Sequence, residues 1–329
     1  MSVATASGVV PGVMRSPWVA FAMRRLWRIL ISFWVLLTAT FLMIHLIPGD
    51  PVRSALGFNA PIEVVKSRQQ ALGLNEPLWL QYLHYVQNLF SGHLGVSIAT
   101  NQPVSQVIGD RLPATLEVSV LAFVLVVAIA IPIGVFMAVT TRGGQRRSRE
   151  LTFTSTSVLL ATIPEFLTAV ALVYVFGVQL RWFPVAGRGD AGSYVLPVVS
   201  LAIGPAAVLA RIVRVEMLTV LGNDFIRTAR AKRLPARLVY GRHALPNALT
   251  ATLTIGGMML TGLIAGTVLV ENVFAWPGLG SMIVQSILGK DYPVVQGIVL
   301  VYGVGVLLVN LIVDVSLALL DPRSAIREN

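Results

Sequence analysis

The sequence contains no cysteine. Disulfides, Cys-ligated zinc, iron–sulfur clusters and a Cys nucleophile are therefore excluded within this chain. Charge is also scarce. Asp, Glu, Lys and Arg make up 12% of the residues, against about 25% in an ordinary soluble domain. Acidic residues are the scarcer sign, 15 against 25 basic, which leaves a formal charge of +10. A phosphate-binding G-x-x-x-x-G-K-[ST] loop is missing. Gly289-Lys290 is followed by Asp291, and Val284 stands where the earlier glycine is required, so ATP binding by this chain is not expected. H-E-x-x-H and G-x-S-x-G are missing too. The histidines, His45, His84, His93 and His243, are scattered, and no metal site is expected.

What is present is apolar. Residues of the AVILMFWYC set make up 55% of the chain, and the mean hydropathy is +0.77. That composition cannot face water on all sides, so an all-α, polytopic membrane protein is expected. Charge-poor runs long enough to cross about 30 Å of hydrocarbon place six spans at about 29–47, 118–140, 152–180, 194–212, 249–270 and 294–318. Pro197, Gly204 and Pro205 weaken the fourth. The first is too long for the apolar core of a signal peptide, and Pro48-Gly49-Asp50-Pro51 is no small-residue cleavage site.

Lys and Arg set the orientation. With the N-terminus inside, the cytoplasmic segments hold Arg15, Arg24, Arg25 and Arg28, then Arg142, Arg146, Arg147 and Arg149, the cluster from Arg211 to Arg242, and Arg323 and Arg327. Only Arg53, Lys66, Arg68, Arg111, Arg181, Arg188 and Lys290 then lie outside. Both termini are expected in the cytoplasm of a multi-pass plasma (inner) membrane protein. The same bias accounts for the basic composition without nucleic acid.

Two loops exceed a simple connection. In the outer loop, 48–115, apolar residues at 79, 82, 83, 86 and 90 share one helical face, which fits a helix lying at headgroup depth or a small packed cap. The cytoplasmic loop, 216–247, is rich in charge. Asn223 or Asp224 caps a helix, Phe225 to Leu234, before Pro235, and a second helix, Ala236 to Leu245, leads through Pro246 into span five. Such a helix–turn–helix suits docking to a soluble partner, and equally suits a basic helix on anionic lipid.

Within the spans, Glu165 follows Pro164, and Asp314 lies near the inner end of span six. Each either lines a solute pathway or has a local role, Glu165 capping the Pro164 break and Asp314 pairing with a cytoplasmic arginine. Gly262-Leu263-Ile264-Ala265-Gly266 is a GxxxG match for close helix packing. No nucleophile–base pair in facing spans suggests an intramembrane enzyme. No inverted repeat suggests a secondary transporter.

Three stretches resemble a known family. Ile44-His45-Leu46-Ile47-Pro48-Gly49-Asp50-Pro51 leaves span one. Leu72-Gly73-Leu74-Asn75-Glu76-Pro77 runs on through Phe90-Ser91-Gly92-His93-Leu94-Gly95 to Arg111-Leu112-Pro113-Ala114-Thr115-Leu116-Glu117. Asp224-Phe225-Ile226-Arg227-Thr228-Ala229-Arg230-Ala231-Lys232 continues to Arg242-His243-Ala244-Leu245-Pro246-Asn247-Ala248-Leu249. Together they are similar to the permeases of dipeptide, oligopeptide and nickel ABC importers, over nearly the whole chain.

The resemblance implies a permease domain over 24–322, with 1–23 and 323–329 as tails. It implies a second, homologous permease, two ATPase subunits that bind ATP and Mg, and an extracytoplasmic peptide-binding protein. This chain would be non-catalytic and without a cofactor of its own. Its solute would be a peptide, with nickel or another small solute as the alternative. The coupling helix would comprise Arg227, Thr228, Ala229, Arg230, Ala231, Lys232, Arg233 and Leu234, with Ala229 small enough to let the ATPase approach. The family's glycine falls at Arg233 here, which is expected to disturb the turn. Polar residues suited to a solute path are Ser119, Thr162, Glu165, Thr261 and Asn310.

Overall fold

The structure is a computed structural model that describes residues 17–46, 52–53, 57, 60–71, 73–144 and 146–320. The Pro48-Gly49-Asp50-Pro51 motif and the tail 323–329 lie outside the described residues. Among the described residues the elements are helices, with one isolated antiparallel bridge, Val96 to Pro103. The end of the bundle that carries the 224–244 loop is called the inner end, after the Lys and Arg distribution, and the opposite end the outer end.

Among the described residues five helices are long and apolar enough to cross a membrane, and a bent pair makes a sixth if it is one span. The five lie within α1 (Pro17–Leu46), α4 (Val104–Thr140), α7 (Gly192–Leu221), α10 (Leu245–Val273) and α12 (Tyr292–Leu320). The expected third span, with its break at Pro164, is a bent pair. Helix α5 (Arg147–Thr162) meets α6 (Glu165–Leu172) and its wide π-helical continuation, Val173–Gln179, at 92°. Pro164 is the cause. It disfavours helical backbone at the residue before it, and Ile163 is extended.

Several spans are longer than their uncharged runs. Helix α4 has 37 residues, about 55 Å at ~1.5 Å per residue. It begins at Val104 and carries Asp110, Arg111 and Glu117. Helix α7 does not stop near 212. It continues to Leu221 with Arg211, Arg214 and Glu216 on its surface. Pro197 and Pro205 lie inside it without breaking it. Likewise the chain is already helical from Pro17, within the expected N-terminal tail.

α4 and α7 form the centre. Along α4, Ala114, Val118, Ala122, Val126, Ala130, Gly134 and Ala138 recur every fourth residue and are all buried. This narrow, small stripe lets the helix axes come close. A Cβ at Gly134 would stand 2.6 Å from Val213 Cβ and 2.7 Å from the Ala210 carbonyl. The facing side of α7 supplies Leu201, Ala202, Leu209, Ala210 and Val213. In span five the expected GxxxG splits: Gly262 faces open space, while Gly266 meets Glu165. The tight helix contact there falls at Gly257, against Val313 of α12.

The outer loop contains α2 (Ile62–Ala71) and α3 (Leu78–Phe90). The apolar face of α3 divides. Tyr82 and Tyr85 pack on Phe41 of α1, with ring centroids 5.1 and 5.7 Å apart, and Tyr82 shares a 2.8 Å hydrogen bond with Thr38. Burial pushes the Tyr85 phenol up to about 12. Trp79 and Phe90 are 69% and 70% exposed. One side of α3 is thus anchored to the bundle, and the other is an unpaired aromatic edge suited to headgroup depth.

Candidate functional site

At the inner end, Gly222 and Asn223 separate α7 from α8 (Asp224–Ala231). Asn223 is the N-cap residue by backbone conformation, and Asp224 puts a negative charge on the first turn. α8 is strongly amphipathic. Ile226 and Ala229, three apart, are buried against Met217, Val220 and Leu221 of α7, Ala138 of α4, and Val239 and Ala244. The opposite face exposes Phe225, Arg227, Thr228, Ala231 and Lys232, and Phe225 is 44% exposed. Arg230 and Leu234 are half-buried. Within this chain the small side chain of Ala229 permits close approach of α8 to α4 and α7, and it is 6% exposed.

The helix ends at Ala231, earlier than expected. Lys232 N donates to the Thr228 carbonyl (3.0 Å), Arg233 N to Arg230 (2.8 Å) and Leu234 N to Ala229 (3.3 Å). Arg233 stands in the left-handed region, φ +57°. This is the αL-terminated helix end in which glycine is usual, so the turn forms around Arg233 and is not lost. Leu234 folds back onto the buried cluster. The second helix is brief: α9 (Ala236–Leu238) passes into a π-helical segment, Val239–Ala244, and then directly into α10.

The base of this loop is held by side chains. Arg142 Nη2 donates to the Leu221 carbonyl (3.0 Å). Arg214 donates through Nε and Nη2 to Thr141 Oγ1 (3.2 and 3.1 Å), and its Nη2 lies 2.7 Å from Glu150 Oε1.

The five expected path residues do not converge. Among the described residues no hydrogen bond or ion pair joins any two of them. Ser119 is buried in the α4 core and donates to the Thr115 carbonyl (2.8 Å), so it lines no open surface of this subunit. Thr162 is exposed at the end of α5 and donates to Val158. Glu165 opens α6 just past the break. Its carboxylate lies against Gly266, where a Cβ would come within 2.3 Å of Oε2. Thr261 has a buried hydroxyl without a protein partner. Asn310 is half-buried on α12. Asp314 forms an ion pair with Arg25 of α1, the local role.

At the outer end, Glu271 was legible only as the charge that closes span five. It is 1% exposed. Thr115 Oγ1 donates to its Oε1 (2.7 Å), and Ser281 N, at the start of α11 (Leu279–Leu288), donates to its Oε2 (3.0 Å). Leu279 N donates to Thr115 Oγ1 (2.8 Å), and Trp276 Nε1 to the Ala114 carbonyl (3.0 Å). Gly278 and Gly280 let the backbone close on the carboxylate. Cβ atoms there would come within 2.4 Å of Glu271 and 2.5 Å of Val268 Cα respectively. Beside it, Arg188 holds both oxygens of Glu117 (2.7 and 2.8 Å), and Tyr194 donates to one of them (2.8 Å). Asp291 accepts from Ser97 Oγ and from Ile98 N (3.0 Å), which ties the outer loop to the start of α12. The sequence signal for this knot is Glu271 followed by Trp276-Pro277-Gly278-Leu279-Gly280.

The chain matches two family models, "Binding-protein-dependent transport system inner membrane component" over residues 130–326 and "Binding-prot-dependent transport system membrane comp, N-term" over 18–119. It is 34% identical to the glutathione transport system permease protein GsiC of Escherichia coli (strain K12) over 303 residues, covering 92% of this chain and 97% of that protein. It is 40% identical over 292 residues to a Brucella suis biovar 1 (strain 1330) protein named "Putative peptide transport system permease protein", covering 86% of this chain and 92% of that one. Among solved structures, an inward-facing MetNI methionine ABC transporter matches with a TM-score of 0.57 at 20% identity, over 66% of this chain and 97% of the other; that likeness concerns the fold. The chain belongs to the binding-protein-dependent transport system inner membrane components, and it is a multi-pass, non-catalytic permease subunit of an ABC importer whose ATPase is a separate subunit.

Proposed function

We propose that this permease passes peptides inward, as one of two homologous membrane subunits. Two ATPase subunits bind ATP and Mg at its inner face, an extracytoplasmic protein delivers the peptide, and both termini lie in the cytoplasm. The observation that carries this reading is α8. It is fixed to the bundle through Ile226 and Ala229 and offers Phe225, Arg227, Thr228, Ala231 and Lys232 outward. A helix anchored on one side and bare on the other transmits a push. An exposed aromatic amid basic groups suits a groove on a soluble partner.

ATP-driven closure of the ATPases then displaces α8. The rigid inner ends of α4, α7 and α10 follow, and the subunit pair alternates between inward-open and outward-open states. The peptide choice is supported by the relatives' names, glutathione in one and peptide in the other.

The test is uptake of labelled di- to pentapeptides, glutathione and nickel by cells with and without the gene for this chain. Loss of peptide uptake on deletion is expected. Loss of nickel uptake alone overturns the peptide reading in favour of the metal.

A further inference from the structure

Helix α5 is poorly anchored by apolar packing. Among the described residues only Ser157 of its sixteen is buried. A cavity of about 450 Å3 opens between it and α7 and α10, lined by Phe153, Thr154, Arg211 and Ile255 among others. Yet α5 leads directly to the Pro164 bend, where Glu165 lies against Gly266 of α10. Whatever moves α5 moves that bend.

What holds the inner end of α5 is polar. Arg214 projects from α7 with its side chain 11% exposed. One guanidinium reaches Thr141, the residue that caps the end of α4, and Glu150, in the first turn of α5. Thr141 is itself fixed, its hydroxyl donating to the Met137 carbonyl (2.6 Å). Arg142, next in sequence, reaches back to the carbonyl of Leu221, the last residue of α7. That carbonyl has no partner within its own helix, and α8 starts three residues later, at Asp224. The two arginines thus join the α4–α5 turn to the stretch of α7 that ends in the coupling helix. A planar guanidinium with several donors in a fixed fork resists rotation of its partners more than a single apolar contact does.

We propose that Arg214 and Arg142, with Thr141 and Glu150, form a clamp that carries motion of α8 into α5, and so to the Pro164 bend. The four are positioning residues for transport and touch neither nucleotide nor solute. The inference rests on the importer reading given above.

The test uses the complete complex, with both permeases and both ATPases, reconstituted in phospholipid vesicles with its binding protein. Two ratios are read: ATP hydrolysis with the binding protein over hydrolysis without it, and peptide taken up per ATP hydrolysed. Arg214→Glu and Glu150→Arg each reverse one charge. Each is expected to leave basal hydrolysis intact while lowering both ratios by about fivefold or more, the scale of a typical coupling between sites. The double exchange restores the pair and is expected to recover most of the loss, which shows that the two side chains act together; intact assembly and basal hydrolysis in the single variants separate the clamp from a merely structural defect. If a single reversal prevents assembly, Arg142→Gln removes the one bond to Leu221, and Thr141→Val removes the two bonds from Arg214 and the one to Met137 while keeping the Arg214–Glu150 pair; both give the same readout on a smaller scale. Unchanged ratios in assembled single variants, or no recovery in the double exchange, overturn the clamp. The stimulation ratio requires no knowledge of the solute. A wild-type complex that is stimulated but moves no peptide therefore refutes the peptide reading and still tests the clamp.

Discussion

The two ends of this bundle are built on opposite principles. At the outer end a buried carboxylate, Glu271, collects a hydroxyl and a backbone N–H, and glycines close the backbone around it. Side chains from α4, α7, α10 and the start of α11 meet there, and little of it faces outward. At the inner end α8, the proposed coupling helix, buries only Ile226 and Ala229, shows a basic face with a bare phenylalanine, and tolerates an arginine in a left-handed turn. Buried polar networks are unforgiving when one member is removed. A helix held by two small contacts can shift and meet a partner. The outer end is thus made to stay assembled, and the inner end, on the proposed function, to be moved.

The sharpest way to break that contrast is Glu271→Ala. It leaves the Thr115 hydroxyl and Ser281 N–H without their acceptor and opens a void between glycines. A hydrogen bond to a charged group contributes about 1.5–3 kcal/mol, so a loss of about 3 kcal/mol or more is expected, read as a lower unfolding midpoint of the purified protein in detergent. Glu271→Gln keeps the shape and an acceptor, and should cost less than half as much. If Glu271→Ala unfolds with the wild type, the outer end is not locked by this carboxylate.

How much of this was legible beforehand depends on what each signal measures. An uncharged run locates hydrocarbon, and five runs coincide with helices. It does not locate helix ends. Asp110, Arg111 and Glu117 continue α4 outward, and Arg211, Arg214 and Glu216 continue α7 inward, because a helix leaving the bilayer need not stop. Pro164 was legible as a break, while its 92° bend depends on how α5 and α6 pack on α7. Glu271 was missed because an acid at the end of an apolar run reads as the run's terminus. Only Gly278 and Gly280 hint that backbone closes over it. The inward face of Ala229 could have been found. On a helix that carries Asp224, Arg227, Thr228 and Arg230, Ile226 and Ala229 are an apolar pair three residues apart, and such a pair turns toward the core; Phe225, four residues before Ala229, offers a competing apolar edge in the sequence, and the structure leaves it exposed.

That orientation decides the next test. Ala229→Arg would force a cation into the cluster of Met217, Leu221 and Val239. It would damage the loop itself and say nothing about docking. Phe225→Ala leaves the inward contacts alone and removes the exposed ring. Truncation of a central aromatic at an interface typically costs about 2 kcal/mol or more of binding. The variant should fold with a wild-type midpoint and yet lose roughly thirtyfold in affinity for the ATPase subunits, since about 1.4 kcal/mol is a factor of ten. Equal co-purification of variant and wild type would mean that the bare face of α8 is not the docking face.

The smallest expected effect concerns Arg233, where a gain is expected. A non-glycine residue in the left-handed region costs about 1–2 kcal/mol against glycine's near indifference. Arg233 accepts that cost at φ +57° because the turn it completes satisfies three carbonyls of α8 and folds Leu234 onto the core. Arg233→Gly should relieve the strain but also gives the unfolded chain more freedom to lose on folding, so the net gain is about 0.5–1 kcal/mol. It should appear as slower amide hydrogen exchange in 224–234, where a helix held by so few contacts would otherwise open. The outer end should exchange as before, since no bond from Arg233 reaches it. A gain spread over the whole protein would mean that the two ends open as one unit. A loss would mean that the arginine side chain, and not the turn it sits in, holds the end of α8.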